Sequence, residues 1–355
     1  PDQPTTLTRA TQIAQPGDTV YLRGGTYPIQ TRFDRSGTPN QPITWTSYPG
    51  EWAILDGSDQ TPVTSQHRVW IAASWNVFAN FEVRHGPQEG IQLYQAHDNL
   101  LTNLVTHHHH YSGILVMHSD RNRFEHLTTH DNYDLHNPRG LIGDDADGIS
   151  ISSGDRNTLY RVIAYGNSDD GIDAWRSTNT TIDSSISYDN GRGTHGNGNG
   201  IKAGGNAEAN HTIIRNSIAF GNKANGFDDN DGRHITYYNN TAYANGGFAF
   251  GDTATLRNNL AHANPIGIWG TNHHHNSWNL TITNPNFQST DPNHPDFLTL
   301  TTTSPAINAG TPVGLTYTGT APDLGALEHQ THLTQLLGQP LTTTPNTTTI
   351  ASNGF

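Results

Sequence analysis

A chain of 355 residues with 36 glycines, only 14% charged residues and no cysteine has few helix formers, many turn formers and no disulfides, which favours many short strands. Its formal charge of −13 argues against nucleic acid, whose binding needs Lys and Arg along a face, and no stretch approaches the ~18–20 apolar residues of a membrane span. The same charge repels an acidic polysaccharide unless divalent cations bridge the two.

In chain order, the opening PDQPTT has neither a basic nor an apolar leader region, so the expectation is a secreted or cell-surface monomer whose leader has been removed. TLTRATQIAQ (6–15) predicts a short amphipathic helix that caps the first coil of a stacked fold, ahead of the strand pattern DTVYLRGGTY. A Gly-plus-apolar step then recurs: Gly90-Ile91, Gly113-Ile114, Gly148-Ile149, Gly171-Ile172, Gly200-Ile201, Gly226-Phe227, Gly247-Phe248 and Gly267-Ile268. Strand-like segments such as NTLYRVIAYGN and HTIIRNSIAFGN come after these steps and close on Asn132, Asn167, Asn190, Asn222, Asn245 and Asn264. Two or three short strands per repeat, with an Asn at one corner, predict a parallel β-helix. Asn tolerates the left-handed backbone of a tight corner, and stacked amides bond to one another in a ladder. Two excursions interrupt the repeat, DNYDLHNPRGLIGDDA after His130 and NGRGTHGNGN before Gly200, and excursions are where a solenoid builds a cleft. SPAINAG and APDLGALE read as closing segments. The expected division is a β-helix domain over 1–328 and a Thr/Asn-rich tail over 329–355, flexible or packed on the outside.

With the step glycine at position zero, position −1 is Asp147, Asp170, Asn199 and Asn225, and position +2 is Ser150, Asp173, Lys202 and Asp228. Coils of a parallel sheet lie about 4.8 Å apart, so residues at one repeat position are neighbours. Asp147, Asp169, Asp170 and Asp173 therefore converge, and four carboxylates on one patch suit Ca²⁺, which takes ~6–8 oxygen ligands in flexible geometry. Asp-Gly and Asn-Gly are also ordinary turn chemistry, which explains one such pair but not four acids in two adjacent coils. Lys202 stands beside this group in a chain with one other lysine, Lys223. A lysine, unlike arginine, can lose its proton and serve as a general base. The alternative is a structural Lys–Asp ion pair.

ADG (146–148), NSDDGID (167–173) and NGIKAGG (199–205), in that order on successive coils, resemble polysaccharide lyase family 9 over about residues 90–250. The resemblance implies a right-handed parallel β-helix and β-elimination on a uronate-containing polysaccharide. It also implies Ca²⁺ held by Asp147, Asp169, Asp170 and Asp173, with Lys202 as the base. Trp175, Arg176, His195, Asp228 and Arg233 are further candidates for substrate contact. The runs His107–His110 and His273–His275 look like metal tracts. Neighbouring strand residues alternate faces, however, so stacked polar corners are the expected role. Three rival readings remain open. An inverting hydrolase would use Asp147, Asp169, Asp170, His195 and Lys202 without a metal, a non-catalytic β-helix would only bind glycans, and an epimerase would return the proton it takes.

Overall fold

The computed structural model describes residues 4–58, 68–135, 140–205, 210–251, 254–265, 272–339 and 341. The repeat dictates the architecture. Strands Thr31–Phe33, Val69–Ile71, Ile91–Tyr94, Ile114–Met117, Ile149–Ile151, Ile172–Asp173, Ile201–Lys202 and Phe227–Asp228 stack in chain order as one eight-stranded sheet. The apolar residues after the step glycines pair rung to rung: Ile91 with Ile114, Ile114 with Ile149, Ile149 with Ile172, Ile172 with Ile201 and Ile201 with Phe227. Each is at most 1% exposed, which is worth about 1.5–3 kcal/mol per side chain. A 19-stranded sheet forms the remaining faces of the coil, with a two-stranded pair of Gly154–Asp155 and Ser177–Thr178. Every pairing between these named strands is parallel, as a β-helix requires.

The Asn ladder forms as expected, but the left-handed backbone of each corner falls on the residue before the Asn, at Asp131, Gly166, Asp189, Gly221 and Ala244, and not on the Asn itself. Nδ2 of Asn132, Asn167, Asn190, Asn222 and Asn245 each donates to Oδ1 of the next Asn, at 2.8 Å for the first pair and 2.9 Å for the others. The same Oδ1 also accepts the backbone N–H of the coil below, so one amide satisfies two donors per rung. A second ladder, through Asn76, Asn99, Asn122 and Asn157, is not implied by the Gly-step repeat. Gly171 shows why the step needs glycine: a Cβ there would lie 1.9 Å from Ser187 Oγ and 2.8 Å from the Gly200 carbonyl.

At the entrance, the helix Leu7–Ile13 caps the first coil, with Thr6 Oγ accepting from Arg9 N at 3.2 Å and Ala10 entering the core. At the far end, Ala306 of SPAINAG and Leu324 of APDLGALE pack with Leu260 and Leu300. The helix Leu333–Leu337 buries Leu333 and Leu337 against Tyr188, Phe220 and Phe297. The rest of the expected tail, residue 340 and residues 342–355, lies outside the described residues, as does the Gly267-Ile268 step. The Gly247-Phe248 step is out of phase. Phe250, not Phe248, pairs with Phe227 and stacks on it at 4.8 Å, while Phe248 is 37% exposed. Phe248 takes the position before the step, where its N–H bonds Asn225 Oδ1, and Ala249 replaces the glycine.

The two excursions pack together. His195 Nδ1 lies 3.1 Å from the Ile142 carbonyl, and Lys223 Nζ donates to the carbonyls of Gly193 at 3.1 Å and Gly196 at 2.9 Å. Lys223 thereby pins the second excursion, which leaves Lys202 as the lysine of the eight-stranded sheet.

Candidate active site

Two columns of the eight-stranded sheet's coils build the site. At position −1, backbone N–H groups bond the side chain one coil back. Asp147 N donates to Ser112 Oγ at 3.1 Å, Asp170 N to Asp147 Oδ1 at 3.1 Å, and Asn199 N to Asp170 Oδ1 at 2.6 Å. Asn225 N continues the chain to Asn199 Oδ1 at 3.1 Å. One oxygen each of Asp147 and Asp170 is thus committed to the fold, and the turn chemistry and the acid cluster share these residues. Asp169 is held from the second excursion, by the Asn197 backbone N–H on its Oδ1.

At position +2 the register is Ser150 to Asp173, Asp173 to Lys202 and Lys202 to Asp228, as the repeat implies. Lys202 Nζ lies 2.6 Å from Asp170 Oδ2 and 3.1 Å from Asp173 Oδ2. Lys202 is 7% exposed and Asp170 is fully buried. Oxygens of Asp147, Asp169 and Asp170 lie within 4.8 Å of one another. Asp173 stands outside that trio and pairs with the lysine, yet its Oδ1 is buried without a well-aligned hydrogen bond.

Above the columns opens a cleft of about 460 Å³, reached by Asp147, Asp169, Asp173, Lys202, Tyr111 and Trp175. Asp144 and Asp145 from the first excursion, and Asn197 from the second, also face it. Nothing in the repeat singles out these three. Their approach depends on how the excursions fold back, which a repeat does not specify.

Crowding sets the electrostatics. Burial, reinforced by the Asp170 charge and opposed by Lys202, pushes the Asp169 carboxyl up to about 8. Burial, opposed mainly by Lys202, lifts Asp173 to about 6. Asp147 is driven well above the ordinary carboxylate range by burial and by the charges of Asp169, Asp173 and Asp170. Burial lowers the Lys202 pKa, but Asp173, Asp170, Asp147 and Asp169 outweigh it and hold the amine protonated well above its usual range. Carboxylates crowded enough to take up protons near neutrality, a trio of oxygens in mutual reach and an unmatched Asp173 oxygen fit a hard divalent cation. The cluster contains no imidazole or thiolate, so its donors are those of Ca²⁺ or Mg²⁺ rather than zinc.

The remaining candidates divide. Trp175 faces the cleft, with the Arg176 guanidinium 4.4 Å over its ring. Asp228 neighbours Lys202 in register but accepts from Asn225 Nδ2 at 2.8 Å and Asn230 N at 2.7 Å, while the amine's ion pairs run to Asp170 and Asp173. Arg176, His195 and Arg233 are not among the residues that line the cleft, and His195 turns instead to the Ile142 carbonyl.

Known proteins share this architecture. The family model for the Pel9A-like right-handed β-helix region matches residues 1–276. Pectate lyase L of Dickeya chrysanthemi is 30% identical over 92% of this chain and 86% of its own length. Pectate lyase PEL9 of Emericella nidulans is 31% identical over 72% of each chain. The crystal structure of pectate lyase Pel9A superposes with a TM-score of 0.80 at 27% identity, covering 92% of both chains.

Proposed function

The chain belongs to the Pel9A-like right-handed β-helix family, polysaccharide lyase family 9, and on that premise we propose that it is a pectate lyase, cleaving polygalacturonate-like chains by β-elimination with Lys202 as the base and Ca²⁺ as the cofactor. The observation that carries this reading is the Lys202 amine on the cleft, 2.6 Å from one carboxylate and 3.1 Å from another, beside a trio of carboxylates close enough together to hold a cation. Asp147, Asp169 and Asp170 would hold the cation, with the unmatched oxygen of Asp173 available to it. When bound, Ca²⁺ neutralises the substrate carboxylate on C5, acidifies the C5 proton and bridges an acidic protein to an acidic polymer.

Lys202 in its neutral form takes the C5 proton. The C5–H electrons become the C4–C5 double bond, the C4–O bond breaks, and the departing oxygen gains a proton from water. Asp170 and Asp173 orient the amine before transfer and stabilise the ammonium after it. They also oppose its deprotonation, so the reading implies an alkaline optimum. Trp175 offers a ring edge or face to a sugar in the cleft. An acidic polymer as substrate also implies work outside the cell. Among the described residues no helix is long and apolar enough to cross a membrane.

The test is incubation with polygalacturonate, rhamnogalacturonan and alginate, each with calcium and with a chelator. Calcium-dependent appearance of unsaturated products from polygalacturonate is expected. Saturated reducing ends instead would replace elimination by hydrolysis, and no product from any polymer would reduce the molecule to a binder.

A further inference from the structure

The histidine run at residues 107–110 takes no part in the cleft. Its side chains separate by strand geometry. His107 ends the strand Leu100–His107, His108 occupies a left-handed corner at φ 57°, and His109 turns inward to bond the Asn132 amide oxygen through its backbone N–H. One coil on, His130 pairs in register with His107, and Asp131 occupies the same left-handed corner at φ 52°. Two adjacent coils therefore bring together imidazoles and a carboxylate that the sequence separates. One ligand atom from each of His108, His130 and Asp131 lies within 4.8 Å of the other two.

The surroundings hold these groups in place. The His130 ring is stacked between His107, at 4.7 Å and 9°, and Tyr165, at 4.8 Å and 2°. Asp131 Oδ2 lies 2.8 Å from His130 Nδ1, and its Oδ1 accepts from the Arg192 guanidinium at 2.7 Å. His107 Nε2 faces Glu82 Oε1 at 3.2 Å, while its Nδ1 lies 2.6 Å from His108 Nδ1. A carboxylate can only accept, so His107 donates from Nε2 and accepts at Nδ1. His108 must then donate from Nδ1, which leaves its Nε2 as a lone pair on an exposed ring. A carboxylate oriented through one imidazole onto another is the outer support that metal-ligating histidines have.

We propose that His108, His130 and Asp131 form a second cation site, separate from the acid cluster at Lys202, that takes a borderline transition-metal ion of the Zn²⁺ type. Two imidazoles and one carboxylate are a three-ligand zinc set that leaves a fourth position to water, and imidazole donors disfavour Ca²⁺. The ion ties two neighbouring coils at the corner where the first excursion leaves the repeat, on the 19-stranded sheet rather than the one that carries Lys202.

The experiment is calorimetric titration of ZnCl₂ into chelator-treated, calcium-saturated protein. One equivalent is expected in the native chain. It is expected to weaken at least about tenfold in His108→Asn and in Asp131→Asn, replacements that tolerate the left-handed corner. Replacing His273, His274 and His275 together is expected to leave that equivalent in place. Unchanged melting temperatures without zinc confirm that the variants fold, and if one does not, the other carries the test alone. No zinc uptake by the native chain, or full-strength uptake in a folded corner variant, overturns the site.

Discussion

Lys202 is both the proposed base and one partner of an ion pair, and substitutions separate the two roles. Lys202→Ala is expected to lose turnover by several orders of magnitude while keeping fold and calcium binding, because the carboxylates that gather the ion remain. Lys202→Arg is expected to be equally inactive, since a guanidinium does not give up its proton. Product formation and calcium titration on the same samples check this, and near-normal turnover in Lys202→Ala would remove the base. A pH dependence arises from the acids. Asp169 and Asp173 hold protons up to about 8 and about 6 when folded, and release them near about 4 when unfolded. Their contribution to metal-free stability is therefore complete below about pH 4 and is lost as the pH rises through about 6 to 8. A bound cation reverses that loss by pairing the released charges. The rise in melting temperature on adding calcium is thus expected to grow from pH 5 to pH 9, and a rise that shrinks over this range would overturn the assigned acids.

On two rungs, Ile172-Asp173 and Ile201-Lys202, an inward apolar residue adjoins one that lines the cleft. Ile172 and Ile182 are both fully buried in the same core, but Ile172 adjoins Asp173 on the active sheet and Ile182 lies on the other sheet. Truncation of either to alanine is expected to cost about 2–5 kcal/mol in denaturant unfolding. Only Ile172→Ala is expected to lower kcat by more than about tenfold at a temperature where both remain folded. Equal losses of activity would mean that the rung does not position the carboxylates. This coupling is also why so much of the fold and site is legible in the sequence. A Gly-Ile step fixes register, and register alone carries Asp173 to Lys202 and Asn132 to Asn167. It fails where the step is imitated, at Gly247-Phe248, and where contacts run through irregular chain. Nothing periodic marks the Asn197 N–H on Asp169, the approach of Asp144 and Asp145, or Lys223 clasping the second excursion. Strand alternation shows that His107–His110 cannot all converge on one ion, but it does not reveal the partners that His108 meets on the next coil.

Over the whole molecule, a solenoid confines most contacts to neighbouring coils, so the Asp147, Asp169 and Asp170 trio spans two rungs and Lys202 occupies a third. Charge is the property that does not stay local. A protein of formal charge −13 meets a polyanion against a long-range repulsion, which added salt screens over about 10 Å at ~0.1 M. Local neutralisation at the cation cluster does not remove that barrier, because most of the acidic residues lie outside the cluster. At saturating calcium, kcat/KM on long polygalacturonate is therefore expected to rise with monovalent salt from low ionic strength. A trimer or tetramer, carrying few charges, is expected to respond much less. Steady-state rates on both substrates across a salt series separate the terms. If the polymer rate falls with salt from the start, attraction inside the cleft governs encounter, and the net charge of the chain has no part in it.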